Sequence, residues 1–380
     1  MFIDYEIAVI GAGITGASIA AKLCSAGMSV ALIDKGAAGS LGASGYSGGL
    51  VRLYDDDPLL MALAAYSIGL MEEGVFASSY AQALSRTGVI YRAAHEQREN
   101  LCRAIEQYGG ERYPMRLLTR RELDASQYPH CADEARINLF EPHACVGNVR
   151  QAVAALCGVV RQRGLLLEHR EIKSIDCQSR DRVHIELGDV TLRCRAVVVA
   201  AGAWTQRLVP QLELQARSIP LARVMTGSDW SMPVIDAVTQ SYGIPLTGNI
   251  VQTGCGLRDK SVLPEQLAPP DARHAEDACK RVVQLSDTWA AQVRVLDVLP
   301  GFDSYSADGR PVLGFCDEQS PIYVAAGMSG LGFKFAPGVA HIAFDQLRHR
   351  LSGQSSRCPD WSALSPGRLM KGSPRQGVQP

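Results

Sequence analysis

Three glycines near the start of the chain, Gly11, Gly13 and Gly16 in "AVIGAGITGASIAAKL", have the G-x-G-x-x-G spacing that brings backbone N–H groups to an anionic pyrophosphate. The first allows a tight turn, the second a close backbone approach, and the third close packing of helix on strand. Asp34 ends the next apolar run, where a carboxylate meets a ribose hydroxyl. This context predicts a site for a dinucleotide, FAD or NAD, which would carry the redox chemistry itself, or else a turn that is merely close-packed. A second glycine turn, "AAGMSGLGFKFAPGVAH" at residues 325–341, starts a helix near the other end of the chain.

The elements that must hold these turns follow from the apolar pattern. Ile7 to Ile10 form a buried strand, and Ala17, Ala20, Ala21 and Leu23 give the next helix its inner face. "GAAGSLGASGYSGGLVR", residues 36–52, is too rich in Gly, Ala and Ser for a core element. It reads as a cradle of backbone groups and hydroxyls, with Ser44 and Ser47 as donors, or else as a solvated loop. "PLLMALAAYSIGLMEEG" and "NVRQAVAALCGVVRQRG" are helical, and "TLRCRAVVVAAGAWT" is a strand running into a small-residue turn at Ala201, Gly202 and Ala203.

This alternation predicts a Rossmann-like α/β domain from segments 1–82, 147–215 and 301–366. A mainly antiparallel-sheet substrate domain from 83–146 and 216–300 is interleaved with it, and 367–380 reads as a disordered tail.

Composition removes several function classes. With 38 basic and 39 acidic residues the net charge is −1, so no basic field draws the chain to nucleic acid. The eleven cysteines are odd in number, scattered and without a C-x-x-C pair, which predicts reduced cytoplasmic thiols and no metal site. The first apolar run is broken by glycines and lacks a basic leader, and no stretch reaches the ~18 apolar residues of a membrane span.

In chain order, "AVIGAGITGASIAAKL", "ASGYSGGLVR", "AVVVAAGAWT", "ADGRPVLG", "AAGMSGLGFKFAPGVA" and the closing "DWSALSPGRL" resemble the FAD-dependent amine and amino-acid oxidoreductases. This is the superfamily of D-amino acid oxidase, glycine oxidase and monomeric sarcosine oxidase. The resemblance implies one FAD spanning both glycine turns, oxidation of a small amine or amino acid, and O2 or a quinone or protein carrier as electron acceptor. Implied cofactor contacts at the early turn are Gly11, Gly13, Ile14, Thr15 and Gly16, with Asp34 and Lys35 beyond them. Ala43, Ser44, Ser47, Gly48, Gly49 and Leu50 follow in the serine-glycine stretch, then Ile172, Ala201, Gly202, Trp204 and Arg310. Gly327, Gly330, Leu331, Gly332, Phe333 and Lys334 complete the set at the late turn, where N–H donors face the flavin end that becomes anionic on reduction.

Departures from the family concern the substrate. Sarcosine-oxidase-like members carry two arginines three residues apart; here these places hold Arg52 and Asp55. A carboxylate-binding arginine of glycine-oxidase-like members falls on Asp303. Two acids at these anchors predict a substrate with an amine and no α-carboxylate at the usual place, unless Lys334 alone holds a carboxylate. Arg258, in "GCGLR", is similar to a lysine position that assists oxygen activation, and Gly301 replaces the cysteine that attaches FAD covalently, which implies noncovalent FAD. No histidine is assigned a role. The competing readings are a flavin monooxygenase, which would carry "GADG" in place of "AAGAW", an NAD-dependent dehydrogenase, or a nucleotide-binding regulator.

Overall fold

The protein is described from a computed structural model over residues 2–125, 136–286 and 292–370. Six strands form its central sheet: β1 (Ile7–Ile10), β2 (Val30–Ile33), β3 (Leu165–Leu167), β4 (Ala196–Val199), β5 (Val312–Phe315) and β6 (Ile322–Ala326). Their order is β3-β2-β1-β4-β6-β5, parallel throughout except for β5 at one edge. β1 is apolar at every position because both faces of the sheet are covered. Its side chains alternate, Ile7 and Val9 into one core and Ala8 and Ile10 into the other.

Helices α1 (Ile14–Ser25), α2 (Pro58–Leu70), α3 (Val149–Arg163) and α4 (Gly332–Ser352) cover the first core, with α1 packed between α3 and α4. Ala17, Ala20 and Ala21 are fully buried, and their small size lets α1 sit close to its neighbours. The second core lies under a four-stranded sheet, where Val183, Ile185 and Leu192 meet Ala8, Val197 and Val199. α4 is interrupted by Pro337, which has no N–H to give to the preceding turn. The next N–H, that of Gly338, donates to Ser67 Oγ of α2 at 2.7 Å, so the first turns of α4 are tied sideways to α2.

A second layer is an eight-stranded sheet whose strands come from 89–141 and 221–299. All adjacent pairs are antiparallel except Val89–Ala94 with Val234–Asp236. Helix Ala272–Val283 covers one face, closing a core around Trp230, Val224, Val251 and Val282. The other face, carrying Ile235, Tyr242 and Ile244, looks toward the six-stranded sheet. The expected tail needs correction at its start. Leu369 is buried, Met370 bridges Leu212, and Arg368 pairs with Asp308 at 2.7 Å; residues 371–380 lie outside the described residues. Among the described residues, no single helix is long and apolar enough to cross a membrane.

Candidate functional site

One continuous cleft runs from Asp34, at the carboxyl end of β2, past both glycine turns to Tyr242 and Arg258 of the second layer. The early turn is shaped by steric need. Gly11 has φ +101°, and a Cβ there would lie 2.4 Å from Ala200 O; one on Gly16 would lie 1.9 Å from Gly11 O. Gly16 therefore packs the turn and does not line the cleft, a correction to its expected cofactor contact. At Gly13, by contrast, the nearest atom to such a Cβ is Ser44 Oγ at 3.1 Å, and the rest is open cleft that a pyrophosphate can enter.

Asp34 does more than present an acceptor. Its Oδ2 accepts from Ala12 N–H at 2.6 Å and its Oδ1 from Gly36 N–H at 2.8 Å, so the carboxylate pins the turn. Burial raises its pKa, while those two N–H groups favour the charged form. Ser44 Oγ accepts from Ile14 N–H at 2.9 Å and Ser47 Oγ from Gly49 N–H at 3.1 Å, which leaves each hydroxyl proton to donate. Lys35 sits 3.8 Å above the Trp204 ring, and Glu265, from the second layer, accepts from Trp204 Nε1 at 2.6 Å and lies 3.6 Å from Lys35. Glu265 was not legible in the sequence, since nothing local marks a loop acid that bridges two layers.

The late turn is held differently. Gly327, Ser329 and Gly330 have φ of +64°, +52° and +87°. The turn is stitched to the strand Phe302–Tyr305: Met328 bridges Tyr305, Ser329 N–H donates to Ser304 O at 3.0 Å, and Gly330 N–H donates to Asp303 Oδ2 at 2.8 Å. Asp303 Oδ1 accepts from Ser304 N–H at 2.7 Å. With 7% of its surface exposed, Asp303 has its pKa pushed up to about 6 by burial.

The run Asp55-Asp56-Asp57 serves three ends. Asp57 caps α2 through Leu59 N–H and pairs with Arg310 at 2.6 Å, so Arg310 does not line the cleft as expected but braces the helix start. Asp56 accepts from the Tyr54 and Tyr91 hydroxyls. Asp55 lies 3.1 Å from Lys334 Nζ and is likewise not part of the cleft lining. Of the two acids expected at the substrate anchors, only Asp303 lines the cleft; Asp55 is paired instead with the buried Lys334. Burial and the charge of Arg52 lower the Lys334 pKa to about 8, against the pull of Asp55. Fully buried Glu141 accepts from Leu53 and Tyr54 N–H and from the Tyr113 hydroxyl, setting the backbone that carries Arg52 and Asp55.

The other expected positions all line the cleft: Gly11, Thr15, Ala43, Gly48, Leu50 and Ile172; Ala201 and Gly202; Leu331, Gly332 and Phe333. So do Arg52 and Arg258, for which no ion pair is found among the described residues. No histidine does. The structure adds Tyr46, Ile235, Tyr242, Ile244 and Tyr305, of which only the alternation in "SYGIPLT" left a trace in the sequence.

A crevice at the carboxyl ends of parallel strands, with a pinned glycine turn at one end and an antiparallel roof at the other, defines a dinucleotide-dependent oxidoreductase with a separate substrate layer. Residues 6–346 match the family described as DAO, FAD dependent oxidoreductase, and the chain belongs to it. It is 26% identical over 373 residues to glycine oxidase of Geobacillus kaustophilus, covering 91% of this chain and 93% of that protein. Monomeric sarcosine oxidase of Bacillus sp. (strain B-0618) is 23% identical, over 90% of this chain and 92% of its own. Among solved structures, L-proline dehydrogenase from P. horikoshii superimposes with a TM-score of 0.82 at 19% identity, covering 97% of this chain and 98% of that one. The fold is therefore that of FAD-dependent amine and amino-acid oxidoreductases, and FAD is the cofactor the cleft fits.

Proposed function

We propose that the protein oxidises a C–N bond of a small amine or amino acid with noncovalently held FAD. The observation that carries this is the single cleft joining the two glycine turns to the Tyr242 and Ile244 face of the antiparallel sheet. Bound FAD supplies a two-electron acceptor that takes a hydride from the carbon next to nitrogen, leaving an imine for water to hydrolyse.

The chain's own residues supply position and field. Gly11, Gly13 and Ile14 offer the backbone that meets the pyrophosphate, and Asp34 holds this turn in place while keeping lone pairs for a ribose. Phe333 and Lys334, at the start of a 21-residue helix, bring the partial positive charge of its N-terminus together with an ammonium to the other end of the cleft. Ile235, Tyr242 and Ile244 cover the substrate space and exclude water. Gly301 supports noncovalent attachment, since it offers no thiol where covalently flavinylated members carry one, and a Cβ there would lie 2.5 Å from Ile219 O. Cys255 lines the cleft, but its thiol donates toward His274 O and burial pushes it up to about 11, a poor nucleophile.

Anaerobic mixing of the yellow protein with a panel of primary and secondary amines and amino acids tests the proposal: at least one must bleach the flavin band. A band unchanged by every member of the panel refutes it. Acid precipitation should release all the colour, and peroxide formed under air separates oxygen from a quinone or protein carrier as the electron acceptor.

A further inference from the structure

Three carboxylates line the cleft among the described residues: Asp34, Glu171 and Asp303. Asp34 is engaged with the early turn, and Glu171 is exposed and lies near Arg207. Asp303 stands apart at the substrate end. It is buried, and no cation lies within ion-pair distance of it among the described residues. Its only hydrogen-bond partners there are the backbone N–H groups of Ser304 and Gly330. Desolvating a carboxylate without a counter-cation is costly, and a chain that retains one in a ligand cleft leaves that counter-charge to the ligand.

We propose that Asp303 is the cation receptor of the site: it faces the substrate nitrogen and stabilises the positive charge that this atom gains during oxidation. The inference rests on the C–N oxidation proposed above. In that step the C–H bond breaks, its electron pair and hydrogen leave together for FAD, and the nitrogen lone pair forms the C=N bond. The substrate is oxidised, FAD is reduced, and a neutral amine becomes an iminium cation. A fixed anion interacts more strongly with that cation than with the neutral amine, so the stabilisation is specific to the transition state. Arg52 and Arg258 suit a carboxylate on the same molecule, whereas Lys334 is already offset by Asp55. The substrate class is therefore an amino acid whose nitrogen points to Asp303, in place of the substrate without an α-carboxylate at the usual place that two acids suggested from the sequence.

The charged and titratable neighbours of Asp303 are Tyr305 on its own strand, Arg217 on the paired strand and stacked 4.6 Å from the Tyr305 ring, and Arg258 on the facing loop. Tyr305 is pushed above its ordinary value by burial and by Asp303, so it stays neutral near neutral pH. Asp303 is then the group of this set that titrates near neutrality, and loss of its charge on acidification must weaken cation binding.

Two ligands of equal shape isolate the charge: trimethylglycine, which has no nitrogen lone pair to oxidise, and its uncharged-head isostere tert-butylacetate. Perturbation of the flavin spectrum should show trimethylglycine binding at least tenfold tighter at pH 8. The preference should fade as pH falls through about 6 and be absent in Asp303→Asn. Equal affinities, binding by neither, or a preference that survives in Asp303→Asn overturns the inference. With the fastest amine of the panel, Asp303→Asn should retain its flavin and reduce it about 100-fold more slowly. It should also lose the acid limb near pH 6, while Asp303→Glu recovers part of the rate. A wild-type reduction rate in flavin-replete Asp303→Asn also overturns the inference. Because trimethylglycine binding needs no turnover, a panel that fails to bleach the flavin counts against the C–N oxidation alone.

Discussion

The two glycine turns end in helices and are each pinned by one aspartate, yet they rest on different physics. At the early turn Asp34 accepts from Ala12 and Gly36, and the glycines are there because any Cβ on Gly11 or Gly16 would strike backbone. At the late turn Asp303 accepts from Gly330, and Gly327 and Gly330 are there for their positive dihedral angles. A Cβ on Gly330 would meet only Tyr305 Oη at 3.4 Å, and one on Gly327 would meet side chains before any backbone, the nearest being Leu214 at 3.1 Å. The early turn is rigid because it is full. The late turn is spatially open, and its character comes from buried charge at Asp303 and Lys334. An invariable pyrophosphate calls for the first arrangement, and a reacting centre that changes charge calls for the second.

Substitutions can break that contrast, and the largest effect belongs to Gly16→Ala. Its methyl would lie 1.9 Å from Gly11 O, forcing α1 off the sheet at a cost of about 3 kcal/mol or more. The purified variant should be colourless, read from its flavin-to-protein absorbance ratio. A fully yellow variant of unchanged thermal stability would remove the packing argument.

Asp34→Ala comes next. It strips a charged acceptor from two N–H groups, each bond worth about 1.5–3 kcal/mol, and should weaken FAD binding about 100-fold in a fluorescence titration. Full affinity would mean that the turn holds its shape without the pin. Gly330→Ala should be the mildest, since the space is open and only the φ of +87° resists, at about 1–2 kcal/mol. It should lower FAD affinity about tenfold at most while shifting the flavin absorption band. Loss of cofactor as complete as in Gly16→Ala would erase the distinction between the turns.

Much of the cofactor half was legible beforehand. The early turn, the serine-glycine cradle, the Ala201–Gly202 turn and the late turn all lie where their local patterns place them, along one cleft. Local steric rules make this possible, because a glycine demanded by a positive φ leaves its mark at its own position. The substrate half was legible only in part. Asp55 and Asp303 looked alike as acids at two anchors, yet one neutralises Lys334 across 279 positions of chain and the other faces the cleft. Arg310 reads as a cofactor contact in its motif, but it spends its charge on Asp57. Such assignments depend on which distant partner the fold brings within reach of a given charge.

The amino-acid order alone therefore determined the class of cofactor and the two glycine-lined helix starts that meet along one cleft, because backbone geometry and apolar periodicity are properties of adjacent residues. Only the tertiary structure decided which ionisable groups line the cleft, because the charge a buried group presents depends on burial and on partners brought together from far along the chain. Asp303 is the clearest instance: an ordinary acid when read as a letter, and a buried carboxylate whose partners among the described residues are backbone N–H groups once the strand and the late turn have closed around it.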